Sequence, residues 1–298
     1  MRPGAADHFI RAIISACDPN QPVTFSAKSN LTKACSTIAM MDFSAFPDVS
    51  ETNPELTEPG EIEYAAQMLA RENLLHAVFG KPEPNGRIWS PSDPNLTINW
   101  AGGGFYMYPA TTGGYYFVTS GLSQPAPDQP TQSDEKDAFS GLGIELVIQC
   151  PDDSKWPFGV LQGLVNYMLF QENARIVMPG DRIPCNGPLV TDSDTDLCYL
   201  IAALSDKYET HGRLPAGDVD LVQLIGVTEG EANRAIAWGR GTGGTLILGE
   251  VLKRLNVDEL TDPNRSCTTH EPEFDAVWSQ VMSELESKWR NNGWDGQR

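Results

Sequence analysis

The sequence predicts an α+β fold, a mixed central β-sheet packed with helices. Three observations predict it. Short runs rich in alternating, β-branched or aromatic residues recur from Leu96 to Val227, bounded by Gly, Pro or Asp. Other stretches carry apolar residues at helical spacing. Long loops rich in Pro, Ser and Asp join the two kinds of segment, the pattern of strands and helices mixed in one domain.

In chain order, residues 5–17 predict a short helix with Phe9, Ile10, Ile13 and Ile14 on one side. Residues 42–60 read as a loop. Glu61 to Phe79 predicts a helix, with Ala65, Met68, Leu69, Leu75 and Val78 among its apolar positions and Gly80 and Pro82 to end it. The stretch KPEPNGRIWSPSDPN is too rich in Pro for regular structure. Leu96 to Trp100, Tyr115 to Thr119 and Ile144 to Ile148 read as strands. Glu145 falls on the face opposite Ile144 and Leu146, where it either meets water or needs a partner. Residues 123–138 form a polar loop between the last two strands.

Pro157 to Glu172 predicts the central helix, with Val160, Leu161, Leu164, Val165, Met168 and Leu169 at helical spacing. Pro157 suits the first turn, where a missing N–H costs little. Residues 174–190 hold two Pro-bounded turns. Tyr199 to Ala203 and Val219 to Val227 are apolar enough for strands. Glu229 to Trp238 reads as a helix with Thr228 as N-cap and Glu231 completing a capping box. Glu271 to Trp289 is amphipathic, with Phe274, Val277, Trp278, Val281, Leu285 and Trp289 on one stripe.

Composition restricts the function. The 298 residues include 21 basic and 40 acidic side chains, a net charge of −19. Nucleic acid and anionic membrane surfaces both require clustered Lys and Arg, so neither is an expected partner. A basic protein is, because complementary charge speeds encounter. No apolar run reaches the roughly 20 residues of a membrane span. Ile14-Ser15-Ala16-Cys17 imitates a lipoprotein cleavage site, but Asp7, His8 and Arg11 interrupt the apolar stretch that should precede it. The six scattered cysteines form no CxxC pair and read as reduced, packed thiols, which predicts a cytoplasmic protein.

Motifs of chemistry are tested and fail. Asp192-Ser193-Asp194-Thr195-Asp196 has the opening spacing of a calcium loop, but Leu197 and Ala203 stand where Gly and Glu are required. Gly239 to Thr245 (GRGTGGT) lacks the Lys of a phosphate loop and reads as a turn. His8, His76, His211 and His270 lie far apart, with no HExxH or GxSxG. No metal and no cofactor is expected, and no catalytic residue is assigned.

Four segments then acquire a joint meaning: YYFVTSGLS from Tyr115, SGLGIELVI from Ser140, WPFGVLQGLVNYMLFQEN from Trp156 and DLVQLIGVTEGE from Asp220. With Pro179-Gly180-Asp181, Gly187-Pro188-Leu189 and Trp238, in this order, they resemble the suppressor of fused family. The likeness covers roughly half the chain. Gly121, Gly141 and Gly143 fit its turns. Where family members carry a GGPDPLD-like stretch, this chain has GGGFYMY from Gly102 to Tyr108.

The resemblance implies a suppressor-of-fused-like domain over residues 96–255. An N-terminal extension, 1–95, precedes it, and a loop with an amphipathic helix, 256–298, follows. It implies a non-catalytic protein-binding module. Single-domain bacterial relatives are proposed as immunity proteins that neutralise polymorphic toxins, so the expected role is an immunity-type inhibitor that sequesters a basic partner. An adaptor capturing an extended peptide by strand addition and an enzyme with an unrecognised site remain the alternatives. The candidate contacts are Tyr116, Phe117, Ser120 and Leu122 on the matching strand and turn, Asp181 in a matching loop, and Asp192, Asp194 and Asp196 for their charge.

Overall fold

A computed structural model describes residues 41–43, 45 and 59–291, apart from 85, 90–99, 101–102, 112, 127–128, 240 and 258. The predicted helix over 5–17, most of the strand from Leu96 and most of the 42–60 loop lie outside these residues.

The elements run β1 (Met41–Asp42), α1 (Pro59–Phe79), β2 (Arg87–Trp89), β3 (Gly104–Pro109), β4 (Tyr115–Ser120), β5 (Phe139–Cys150), α2 (Trp156–Phe170), β6 (Arg182–Pro184), β7 (Leu197–Leu204), β8 (His211–Leu214), β9 (Gly217–Thr228), α3 (Glu229–Trp238), α4 (Gly243–Arg254), a 3-10 turn (Thr268–His270) and α5 (Phe274–Asn291). The strands form one mixed sheet in the order β1-β8-β9-β5-β4-β3-β2, with β7 also on β9 and β6 on β7. The β5–β9 and β1–β8 pairs are parallel and the others antiparallel. The expected α+β class with a mixed sheet is what the chain adopts.

Strand β9 organises the molecule. β5 lines one of its edges, and the other is shared by β8 along the first half and β7 along the second. Side chains alternate across a strand. Val222 and Leu224 face the core built on α2. Val219 and Leu221 face α1, and Ile225 and Val227 face α3, α4 and α5. Gln223 sits on that second face between the two helical groups, fully buried, where its amide meets Tyr208 Oη at 2.9 Å and the Glu259 carbonyl.

The other central strands obey the same period. Phe105 and Met107 of β3, Phe117 of β4 and Ile144, Leu146 and Ile148 of β5 face α2. Tyr106, Tyr108, Tyr116, Val118 and Val147 face α1, which buries Ala66, Ala70, Leu74, Leu75 and Phe79 against the sheet. Each fully buried Leu or Phe stabilises the fold by about 1.5–3 kcal/mol relative to exposure. Helix α1 is thus packed into the core on the second face of the sheet.

Helix boundaries follow the sequence signals. α1 ends at Gly80, whose N–H still donates to the His76 carbonyl while its φ of 85° turns the following chain out of the helix. α2 starts with Pro157 inside its first turn. α3 has the full capping box: Glu231 N–H donates to Thr228 Oγ1 while the Glu231 carboxylate accepts from Thr228 N–H. The Gly-rich stretch after Trp238 is a tight helix-to-helix turn. A Cβ on Gly244 would lie 2.2 Å from the Ala235 carbonyl oxygen, so α3 and α4 approach this closely only with glycine there.

Several expectations are corrected. Arg87–Trp89, assigned to an irregular Pro-rich loop, is an edge strand on β3, fixed by Met107 N–H to the Gly86 carbonyl and Glu83 N–H to the Met107 carbonyl. Gly104–Pro109, which the sequence left unassigned, is a strand, as its aromatic run suits a pleated surface. Arg182–Pro184 and His211–Leu214 are strands too short to show alternation. The strand from Ile144 begins at Phe139, through a bulged register between the two.

Candidate functional site

The Gly-Leu-Ser turn and the SGLGIEL segment meet at Glu145. Its side chain is fully buried and no cation is bonded to it among the described residues. Five donors surround the carboxylate: Thr119 Oγ1 at 2.6 Å, the N–H groups of Gly121, Leu122 and Ser123 at 2.8, 3.3 and 3.0 Å, and Ser123 Oγ at 2.6 Å. Glu145 therefore ties the turn to β5. Gly141 keeps this approach open: its φ is 58°, and a Cβ would lie 2.5 Å from the Gln124 carbonyl oxygen. From the other side Arg71 of α1, 1% exposed, donates to Ser120 Oγ at 2.9 Å and Gln124 Oε1 at 2.7 Å.

This geometry locates four of the predicted contact residues. Tyr116 is 8% exposed, Phe117 0%, Ser120 2% and Leu122 1%. Tyr116 packs on Phe79 and Tyr208, and Phe117 on Phe158. All four lie within the core, where they set the shape of the sheet and its turn. Asp181 is half-buried between α2 and β6. It accepts from Met178 N–H at 2.8 Å and lies 3.6 Å from Arg175. Burial lifts its carboxyl above the usual carboxylate range, against that hydrogen bond and the charges of Arg175 and Arg182. Among the described residues no contact joins Asp181 to the other predicted aspartates.

Asp192, Asp194 and Asp196 are exposed together on the loop before β7. Asp192 has φ 60°, a conformation Asp tolerates. The loop is pinned from within by Ser193 Oγ donating to the Val190 carbonyl and from without by Thr195 Oγ1 donating to the Pro263 carbonyl at 2.6 Å. That second bond sets the acidic loop beside the segment following α4, which the sequence reading left without a role.

This segment completes the end of β9. Leu260 bridges to Gln149 of β5, and Thr261 N–H donates to the Gln149 carbonyl. Gly226 N–H of β9 donates to Thr261 Oγ1 at 2.9 Å, and Arg265 Nη2 donates to the Gly226 carbonyl at 2.9 Å. Arg265 also grips the fully buried Glu231 through both Nη atoms, at 2.7 and 2.6 Å. Thr268 adds its N–H at 2.9 Å and Oγ1 at 2.7 Å. Burial acts to raise the Glu231 carboxyl. The Arg265 bonds and charge, with the Thr228 and Thr268 N–H groups, overcome burial and hold it below the usual carboxylate range.

Beside this anchor lies an open cavity of about 420 Å³ between the end of α4 and the start of α5. Leu255, Val257 and Leu260 supply apolar wall, and Asp262, Glu271 and Glu273 supply acid. Asp262 Oδ1 accepts from Asn264 N–H; Glu271 and Glu273 are exposed and have no counter-charge among the described residues. Arg265 also lines the cavity, with its charge already answered by Glu231. The Thr195–Pro263 bond sets the 192–196 loop next to the segment that supplies Asp262 and Arg265 to the cavity. Glu231 carried a local signal, the capping box. Asp262, Arg265, Glu271 and Glu273 carried none, because their meaning depends on β9 and the acidic loop, distant in sequence.

Among the described residues no three His, Cys, Asp or Glu side chains are placed to hold a metal ion. Cys150, Cys185, Cys198 and Cys267 are free thiols, and burial pushes Cys150 and Cys185 up to about 12. No described helix is long and apolar enough to cross a membrane.

The family model described as Suppressor of fused protein (SUFU) matches residues 103–266. The crystal structure of the Sufu-Fu complex is similar, with 20% identity and a TM-score of 0.52, over 72% of this chain and 96% of that one. Drosophila Suppressor of Fused aligns at 22% identity and TM-score 0.48, over 64% of this chain and 49% of that one. A SUFU homolog from Neisseria gonorrhoeae FA 1090 aligns at 15% and 0.43, over 70% and 97%. No curated protein matches the chain.

Proposed function

From the premise that this chain belongs to the suppressor of fused family, we propose that it works by binding and holding another protein, without catalysis. A crystal structure of similar fold is itself a complex, of Sufu with Fu. The observation that carries the reading for this chain is the exposed acidic loop. Asp192, Asp194 and Asp196 stand exposed on a loop that Thr195 ties to Pro263, next to Asp262 of the cavity wall, on a molecule of net charge −19. Uncompensated exposed carboxylates attract a basic surface and repel an acidic one. The partner is therefore a basic protein, and Asp192, Asp194 and Asp196 are contact residues. Tyr116, Phe117, Ser120 and Leu122 act through the scaffold, and Asp181 through its own turn.

The role is that of an immunity-type inhibitor. An acidic face that covers the basic active site of a toxin, by imitating the charge of its nucleic-acid substrate, would block it without chemistry. The four cysteines among the described residues are free thiols, which suits the reducing cytoplasm.

Affinity capture from a lysate of the source organism tests the reading. The expected result is one basic protein retained at low salt, released at high salt, and weakly retained by the Asp192→Asn/Asp194→Asn/Asp196→Asn variant. A retained partner indifferent to salt and to those three changes would remove the charge argument. Retention of a small metabolite alone would remove the protein-holding role.

A further inference from the structure

We propose that Cys185 and Cys198 form a disulfide on oxidation and so close the base of the acidic loop; the bond is independent of the protein-holding reading, and only its effect on a partner rests on it. β6 and β7 pair antiparallel, with Pro184 opposite Tyr199. The next step of that register sets Cys185 opposite Cys198, and the Cys185 N–H donates to the Cys198 carbonyl at 2.9 Å. Opposed residues of an antiparallel pair point their side chains to one face, with Cα atoms about 4.5–5.5 Å apart. A disulfide spans Cα separations of about 4.4–6.8 Å. Cys185 lies in the core under α2, and Leu200 and Ala202, two and four places beyond Cys198, face that core as well. The two sulfurs are close enough for charge on Cys198 to act on Cys185, whose thiol is pushed up to about 12 by burial first and then by that charge.

The bond encloses residues 186–197, which carry Asp192, Asp194 and Asp196. Thr195 already ties that loop to Pro263. Cys198 is half-buried and Cys185 buried, so Cys198 meets an oxidant first. Burial and the charge of Glu229 raise the Cys198 thiol, while the Glu229 N–H at the start of α3 favours its thiolate. The co-reactant is a small disulfide such as oxidised glutathione. The Cys198 thiolate attacks one of its sulfurs, a mixed disulfide forms and one small thiolate leaves. The Cys185 thiolate then attacks the Cys198 sulfur and expels the second. The two protein thiols lose two electrons, and the small disulfide is reduced to two thiols that carry the two protons. Because both protein thiols are raised, the exchange is slow at neutral pH and should quicken about tenfold per pH unit.

The test treats the full chain with oxidised glutathione, unfolds it, caps the remaining thiols with iodoacetamide and maps the cysteines. Cleavage before Asp192, Asp194 and Asp196 separates Cys185 from Cys198, so a fragment pair that stays joined reports the link. The linked pair should appear, Tm should rise by roughly 5 °C, and hydrogen exchange over 186–197 should slow roughly threefold. Cys198→Ser, altered at a half-buried position, should lose all three changes and unfold like the reduced wild type. Glutathione left on Cys198 with Cys185 capped, or a link from either cysteine to any of the other four, would overturn the pair. A linked pair with unchanged exchange would overturn the closing of the loop. For the partner, affinity capture on the oxidised chain should leave more of the basic protein bound at high salt, and equal release from both forms removes that effect alone. If the pair forms and neither form retains a basic protein, the protein-holding reading falls and the disulfide stands.

Discussion

Two buried glutamates show how differently one residue type can be held. Glu231 is matched by a cation, because both Nη atoms of Arg265 reach it. Glu145 is held by neutral donors alone, three of them backbone N–H groups of one turn. A buried carboxylate with no cation must find this many donors, because its desolvation is otherwise uncompensated. Glutamine is nearly isosteric but brings an NH₂ into a site built from donors. Glu145→Gln should destabilise the protein by about 3–5 kcal/mol, as expected when a buried charged hydrogen-bond set is broken. Urea unfolding measures it, and a loss below about 1 kcal/mol would mean that the turn does not depend on this carboxylate. Seen in sequence, Glu145 was an acid in an apolar strand that needed either water or a partner. The partner could not be read, because its donors lie more than 20 residues upstream and point at Glu145 only after β4 and β5 pair.

At the scale of elements, the β8–β9 hairpin carries its own titrating pair. His211 and Asp220 are directly opposed, with Nδ1 and Oδ1 2.6 Å apart. The hydrogen bond to Asp220 raises the His211 pKa above its ordinary 6.5, against burial and with help from Glu209 and Asp218. A histidine whose folded pKa is raised contributes stability fully present below the unfolded pKa and lost as pH rises through the folded one. Stability from this pair should therefore decline from about pH 6.5 upward. The difference in melting temperature between wild type and Asp220→Asn should be largest near pH 6 and shrink above it. A gap that widens with pH would reverse the assigned protonation. The hairpin matters beyond itself, since β8 also pairs with β1 and packs under Leu74 of α1. β8 escaped the sequence reading for a plain reason: HGRL has four residues and a charge, and only burial between β1, β9 and α1 makes it a strand.

For the whole molecule, charge acts twice, with opposite signs. With 40 acidic and 21 basic side chains, the folded chain repels itself, and salt screens that repulsion beyond about 8 Å at physiological ionic strength. Adding salt should therefore raise thermal stability by about 1 kcal/mol, or roughly 2–4 °C in Tm for a chain of this class. The same salt should weaken binding to a basic partner. A falling Tm would mean that ion pairs such as Arg254 with Glu284 and Arg213 with Asp218 outweigh the net repulsion.

The sequence by itself determined the mixture of strands and helices, the central helix, the capping box at Thr228 and Glu231, the family resemblance and the acidity. Each of these is written in neighbouring residues or in total composition: periodicity, a four-residue motif, a run of motifs, a sum of charges. The tertiary structure alone decided that α1 belongs to the core, that Tyr116, Phe117, Ser120 and Leu122 are inside it, and that the acidic loop meets the segment after α4. These depend on which distant residues come together, and the sheet makes that choice: β9 joins β5, β7 and β8 along one strand. An aromatic strand reads the same in sequence whether it faces a partner or a helix of its own chain. Here α1 covers one face and α2 the other, so the strand serves the fold.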